Sequence, residues 1–141
     1  MLDRIEHVAL AVEDLDSAIA DLARLWDLEV ADRERIDDQG VEEATLDVGR
    51  SRIQLVAPTS ATSTVARFLE RRGEGLHHIA YEVADLEETL RDLKARGARL
   101  VDERPRRGGG GHLVAFVHPQ SSCGVLVELV QRGAPPDIAG P

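Results

Sequence analysis

His77 and His78 stand side by side in GLHHIAYEV, where a strand pattern begins. Adjacent side chains of a β-strand point to opposite faces, so only one of the two can serve a site on a given face. His78 has a counterpart. IEHVALAVEDLDSAIADL (residues 5–22) lies over LHHIAYEVADLEETLRDL (76–93) without a gap, at an offset of 71 residues. Seven of the 18 positions are identical, among them His7/His78, Ala9/Ala80, Val12/Val83 and Asp14/Asp85. Alternation puts His7 on one face with Ala9 and Ala11, and His78 with Ala80 and Glu82; the small alanines leave room beside each imidazole. In SRIQLVAP the same parity turns Gln54 away from Ile53, Leu55 and Ala57, and in GVLVELVQ it turns Glu128 away from Val125, Val127 and Leu129. A carboxylate in the middle of an apolar strand is costly unless it is paired or bound to a metal. His7, Gln54, His78 and Glu128 thus form a mixed nitrogen and oxygen donor set. It suits Co²⁺, Mn²⁺, Ni²⁺, Zn²⁺ or Fe²⁺, and it leaves coordination positions open for water or substrate, as in catalytic sites.

Two copies of one structural unit must position these residues. Each copy begins with alternating apolar residues, read as a strand. An aspartate suited to cap a helix follows, Asp14 or Asp85. Then come leucines and isoleucines at helical spacing: Leu15, Ile19 and Leu22 in one copy, Leu86, Leu90 and Leu93 in the other. Gly97 is placed to end the second helix. Further strands are expected near 29–35, 41–48 and 51–57, and near 99–103, 112–118 and 124–130. The fold class is therefore α+β, with two tandem βαβββ modules whose curved mixed sheets enclose a shared metal-binding cleft. The modules span 1–58 and 76–132. A linker with a short helix near Thr64–Arg71 occupies 59–75, and residues 133–141 read as a disordered tail. His77 aligns with Glu6 and takes the parity opposite to the cleft.

Composition excludes several classes. The net charge of −9 argues against nucleic-acid or anionic-membrane binding, and no apolar run approaches the ~20 residues of a membrane span. Cys123 is the one cysteine, so no intramolecular disulfide can form and a cytoplasmic location is expected. MLDRIEHV is acidic and runs into a strand pattern, unlike a signal peptide. Cys123 itself reads as a small turn residue.

IEHVALAVEDL, DQGVEEATL, IQLVAP, FLERRGEGLHHIAYEV, DERPRRGGGGHLVAFVHP and GVLVELVQ together cover residues 4–132. In these motifs the chain resembles the vicinal oxygen chelate (glyoxalase-like) superfamily, and within it most closely the methylmalonyl-CoA epimerases. That resemblance implies a divalent ion, usually cobalt, held at His7, Gln54, His78 and Glu128. It implies interconversion of the (R) and (S) forms of methylmalonyl-CoA, a catalytic glutamate at Glu43 and a homodimer. Glyoxalase I would place Glu where this chain has Gln54. The chain departs from the family pattern at Asp21 and Leu22, where an aromatic pair is common, and at Trp26 and Asp27, where Leu-Gly is common.

Epimerisation needs an acid/base group on each side of one carbon. Glu43 shares a strand face with Val41 and Thr45 and is the first candidate. Glu128, a ligand with a second oxygen, is the other. Arg104, Arg106 and Arg107, with the glycine run that ends at Gly111, form a local basic patch for an anionic acyl-CoA substrate. A flexible turn with solvated arginines is an equally good reading of that stretch. His118 is read as structural or as a substrate-carboxylate contact, and His112 as exposed. Two rival functions fit the same residues. One is another metalloenzyme of this superfamily, of the glyoxalase or extradiol dioxygenase type, since His7, His78 and Glu128 make a two-histidine, one-carboxylate set. The other is a metal-free small-molecule binding module.

Overall fold

The structure is a computed structural model that describes residues 1–133; apart from Gly133, the tail expected at 133–141 lies outside the described residues. By internal contacts the chain divides into two compact units, one of residues His7–His77 and one of Met1–Glu6 with the chain from His78 onward. Among the described residues no helix is long and apolar enough to cross a membrane.

The unit built on His7–His77 follows β1 (Arg4–Ala11), α1 (Leu15–Trp26), β2 (Val30–Ile36), β3 (Val41–Val48), β4 (Ser51–Pro58) and α2 (Thr64–Arg72). Its strands run in the order β2-β3-β4-β1, with β1 parallel to β4 and the other pairs antiparallel. Asp14 caps α1 by accepting from the amides of Asp16 and Ser17, which satisfies two N–H groups that a helix start leaves without partners. The apolar stripe of α1 covers one sheet face. Leu15, Ile19 and Leu22 pack with Leu10, Val12, Ala44, Leu46, Leu55 and Ala57, the set that strand parity assigned to that side. The opposite face is partly covered as well: Val65, Leu69 and Phe68 of α2 pack on Ala11, Val41 and Val56.

The second unit carries β5 (Gly75–Glu82), α3 (Leu86–Ala95), β6 (Arg106–Arg107), β7 (Leu113–Val117) and β8 (Leu126–Gln131). The order is β5-β8-β7-β6, with β5 parallel to β8. Asp85 caps α3 by accepting from the Glu88 amide, and the Leu86 amide donates to Gln131 Oε1 at 2.8 Å. Leu86 and Leu90 are sealed against Val83, Leu113, Ala115, Val127 and Leu129; burying each such leucine is worth about 1.5–3 kcal/mol. The repeat extends to single hydrogen bonds. Val12 N–H donates to Val56 O in one unit, and Val83 N–H to Val130 O in the other, both at 2.9 Å.

One element differs from the sequence expectation. Residues 99–103 form no regular strand; they touch β7 through a single bridge, Leu100 to Val117, and the ladder strand is the two-residue β6. The cause is local. The Val101 and Asp102 amides both donate to Phe116 O, and Phe116 N–H donates to the Asp102 carboxylate at 2.8 Å. Side-chain bonding of this kind replaces the ladder, and Pro105 removes a further donor.

Candidate metal centre

Each unit presents one half of the donor set on the sheet face turned away from its α1 or α3 helix. In the first, His7 on β1 is 7% exposed. The parallel register pairs Ala9 with Gln54, so the amide sits across from the residue two beyond the histidine. Thr45 pairs with Gln54 and Glu43 with Val56. This puts Glu43 diagonal to Gln54 on the same face, because directly opposed strand residues share a face. Gln54 Nε2 donates to Glu43 Oε2 at 3.2 Å. With its N–H₂ turned to Glu43, the amide presents its oxygen on the other side, as a ligand must.

The second unit repeats the pattern. Ala80 pairs with Glu128, again two residues beyond the histidine. His78 is 4% and Glu128 9% exposed, and His78 Nε2 lies 3.5 Å from Glu128 Oε1. Phe116 pairs with Glu128 across the antiparallel ladder and meets the His78 ring edge-on at 5.6 Å between centroids. The Arg106 guanidinium covers that phenyl ring at 5.5 Å. It is held by Asp102, with Nε 3.4 Å from Oδ2. Val114, Val130 and Ala80 pack on the same face.

The donors fit a divalent ion of the borderline class. A carboxylate and an imidazole, both buried and in mutual contact, are joined in one unit, while a buried imidazole and an oriented amide lie on one sheet face in the other. Such groups are buried at a cost that a metal or a polar partner must offset.

The remaining candidates separate. Arg104, Arg106 and Arg107 line one groove with α3. Gly111 does not line it; its carbonyl accepts from Arg107 Nη1 at 3.0 Å. The glycine run closes on itself, with Gly108 N–H bonded to His112 O. His118 is structural: its Nδ1 accepts from the Gln120 amide at 2.9 Å and so caps a short turn. His112 is half-buried rather than exposed. His77 packs its ring on Phe68 of α2, with centroids 5.0 Å apart. Cys123 is an exposed turn residue with φ of 55°. Sequence reasoning passed over Phe116 as a neighbour of His78, although its alternation with Val114 carried that signal. The contact of Arg106 with Phe116 left no trace in the spacing.

Residues 6–116 match the Glyoxalase/Bleomycin resistance protein/Dioxygenase superfamily. An ethylmalonyl-CoA/methylmalonyl-CoA epimerase of Cereibacter sphaeroides is 38% identical over 133 residues, which are 93% of this chain and 99% of that protein. The crystal structure of methylmalonyl-CoA epimerase from Mycobacterium tuberculosis matches with a TM-score of 0.89 at 40% identity, covering 99% of this chain and 93% of that one. A methylmalonyl-CoA epimerase solved in complex with methylmalonyl-CoA and NH4+ matches with a TM-score of 0.88 at 38% identity, covering 95% and 97%. The chain belongs to the glyoxalase/bleomycin resistance protein/dioxygenase superfamily.

Proposed function

We propose that this chain is an isomerase that interconverts the (R) and (S) forms of methylmalonyl-CoA by removing and returning the proton at C2. The observation that carries this reading is Glu43, a half-buried carboxylate held at 3.2 Å by the Gln54 amide on the His7 face of its sheet. The likeness to epimerases, one of them solved with methylmalonyl-CoA, supports the substrate.

His7, Gln54, His78 and Glu128 would together hold the ion. A divalent ion bound there supplies Lewis-acid stabilisation for negative charge on the thioester oxygen. The C2 proton lies between a thioester and a carboxylate, and its loss leaves an enolate. Glu43 takes that proton from one side. The Gln54 amide fixes which Glu43 oxygen faces the substrate, and a positioned base of this kind contributes about 10²–10⁴-fold. Glu128, which would also help hold the ion, is the group we assign to the opposite side of C2. In the second unit Phe116 and Ala80 lie on the His78 face, and this apolar surface would help keep bulk water from the enolate.

We infer Co²⁺ as the resident ion from the resemblance to the epimerases, since the mixed donors suit Mn²⁺, Ni²⁺, Zn²⁺ or Fe²⁺ equally; we infer a homodimer as the working assembly, and a cytoplasmic setting from the lone cysteine. Metal analysis of purified protein and light scattering test the first two. Activity is tested by incubating one epimer of methylmalonyl-CoA with protein and Co²⁺ and following its conversion to the other by chiral separation. Conversion that a chelator stops and added Co²⁺ restores is expected. Protein that binds no divalent ion, or that leaves the epimer unchanged, would sink the reading.

A further inference from the structure

The chain is acidic, with a net charge of −9, yet one groove of about 640 Å³ carries four exposed cations, Arg91, Lys94, Arg104 and Arg107, against Glu87 and Glu103. It runs between α3 and the segment of residues 100–107. Its floor includes Leu90 and Leu113, which belong to the core under α3. The groove therefore opens on the face opposite to His78 and Glu128. Glu103 is engaged by Lys94 at 3.2 Å. Arg106 also borders the groove, but its guanidinium is committed to Phe116 and Asp102. Arg107 spends one N–H on Gly111 O and keeps the rest of its planar fork. Among the described residues no acidic side chain pairs with Arg91 or Arg104.

We propose that this groove is a binding site for a nucleotide bearing two or more phosphates. The volume is that of a site for a ligand of this size. The cations sit at its rim and apolar side chains at its base, so phosphates and a planar base each find a matching surface. Arginine forks at Arg91, Arg104 and Arg107 suit bidentate contact with phosphate oxygens. Elsewhere the field of an acidic protein repels such an anion; here several cations concentrate it locally. The nucleotide portion of coenzyme A and a free adenosine phosphate offer the same chemistry. The site itself does not depend on the reaction proposed above.

The probe is adenosine 3′,5′-bisphosphate, titrated calorimetrically into the full chain at low salt. We expect binding that weakens as salt rises, with no binding of adenosine at the same concentrations. Arg91→Glu with Arg104→Glu should weaken the bisphosphate at least about tenfold; Arg91→Gln with Arg104→Gln, which removes the positive charges without adding negative ones, should do so in the same direction. Both pairs are exposed, and circular dichroism checks the fold. If coenzyme A is the source, the double variants raise KM for methylmalonyl-CoA but not for its pantetheine thioester. If a separate nucleotide is the source, bisphosphate binding is lost while both KM values stay. Either result supports the groove. A wild-type chain that fails to bind the bisphosphate, or double variants that bind it as well as wild type, would overturn it. Calorimetry reads no turnover, so this failure is separate from failure of the epimerase reading.

Discussion

His78 and His77 are neighbours in sequence but differ in what they touch, and replacing each by alanine should separate metal binding from packing. The His78 side chain is 5% exposed and that of Glu128 is 12% exposed, 3.5 Å away. His78→Ala removes the imidazole from a buried carboxylate and leaves a small void. In ion-free protein this should cost about 2–4 kcal/mol, which for a chain of this size is roughly 6–12 °C in Tm. The ion adds a second, sharper difference. At a concentration of Co²⁺ about a thousandfold above Kd, binding stabilises the fold by about 4.1 kcal/mol, or roughly 12 °C. Losing one of the four proposed ligands should weaken binding about a hundredfold or more, beyond what loss of a supporting partner costs. The gain at the same Co²⁺ concentration then falls to about 1.4 kcal/mol, roughly 4 °C. His77→Ala loses a ring contact with Phe68 at 5.0 Å, worth about 0.5–1.5 kcal/mol, and should keep the full Co²⁺-induced rise. Thermal unfolding by circular dichroism with and without Co²⁺, after chelation, measures all four quantities. A full Co²⁺-induced rise in His78→Ala, or its loss in His77→Ala, would refute the assignment of ligand and neighbour.

Gly108 has a backbone that any residue can adopt, with φ of −114°, but a Cβ there would stand 2.7 Å from Val114 Cγ1. Gly108→Ala should therefore destabilise by about 1–3 kcal/mol in urea titration, and less than additively with Val114→Ala, which removes the clash. Asp27 ends α1 with φ of 56°, where a glycine carries no Cβ penalty, so Asp27→Gly should stabilise by about 0.5–1 kcal/mol in the same assay. Gln54→Ala deletes the donor to Glu43 and the oxygen ligand proposed above. We expect Co²⁺ affinity to drop about tenfold or more by calorimetry, turnover to fall about 10–100-fold, and the Tm of ion-free protein to stay within about 2 °C.

Strand parity and helix spacing carried most of the architecture because each module buries one face under one helix. A period of two in the strands and of 3.6 in the helices then records the same boundary twice. Leu10, Val12, Leu46 and Leu55 on one side, and His7, Gln54 and Glu43 on the other, were separable for that reason. The repeat fixed His78 against His77, since the aligned strand allowed one of them the face of Ala80. What escaped depends on tertiary contacts with no period. The segment 99–103 is apolar enough to read as a strand, but the Asp102 carboxylate takes the Phe116 amide and breaks the ladder. The short helix α2 looked like part of a linker, yet Val65 and Leu69 seal Ala11 and Val56 on the sheet face opposite α1. Arg106 and Arg107 are adjacent in sequence, but their pairing with Val114 and Leu113 sends them to opposite faces. One covers Phe116 beside His78, and the other joins Arg91 and Arg104 in the groove.

The central claim is that Glu43 removes the C2 proton at an ion-dependent site, and isotope exchange reads that step without requiring net turnover. Methylmalonyl-CoA incubated with the chain in deuterated water should gain deuterium at C2 by NMR or mass spectrometry. Exchange should be rapid with Co²⁺, lost with chelator, and reduced about 10²–10⁴-fold in Glu43→Gln, whose amide keeps the shape but cannot accept the proton. Exchange in Glu43→Gln at the wild-type rate, or exchange indifferent to the ion, would contradict the account.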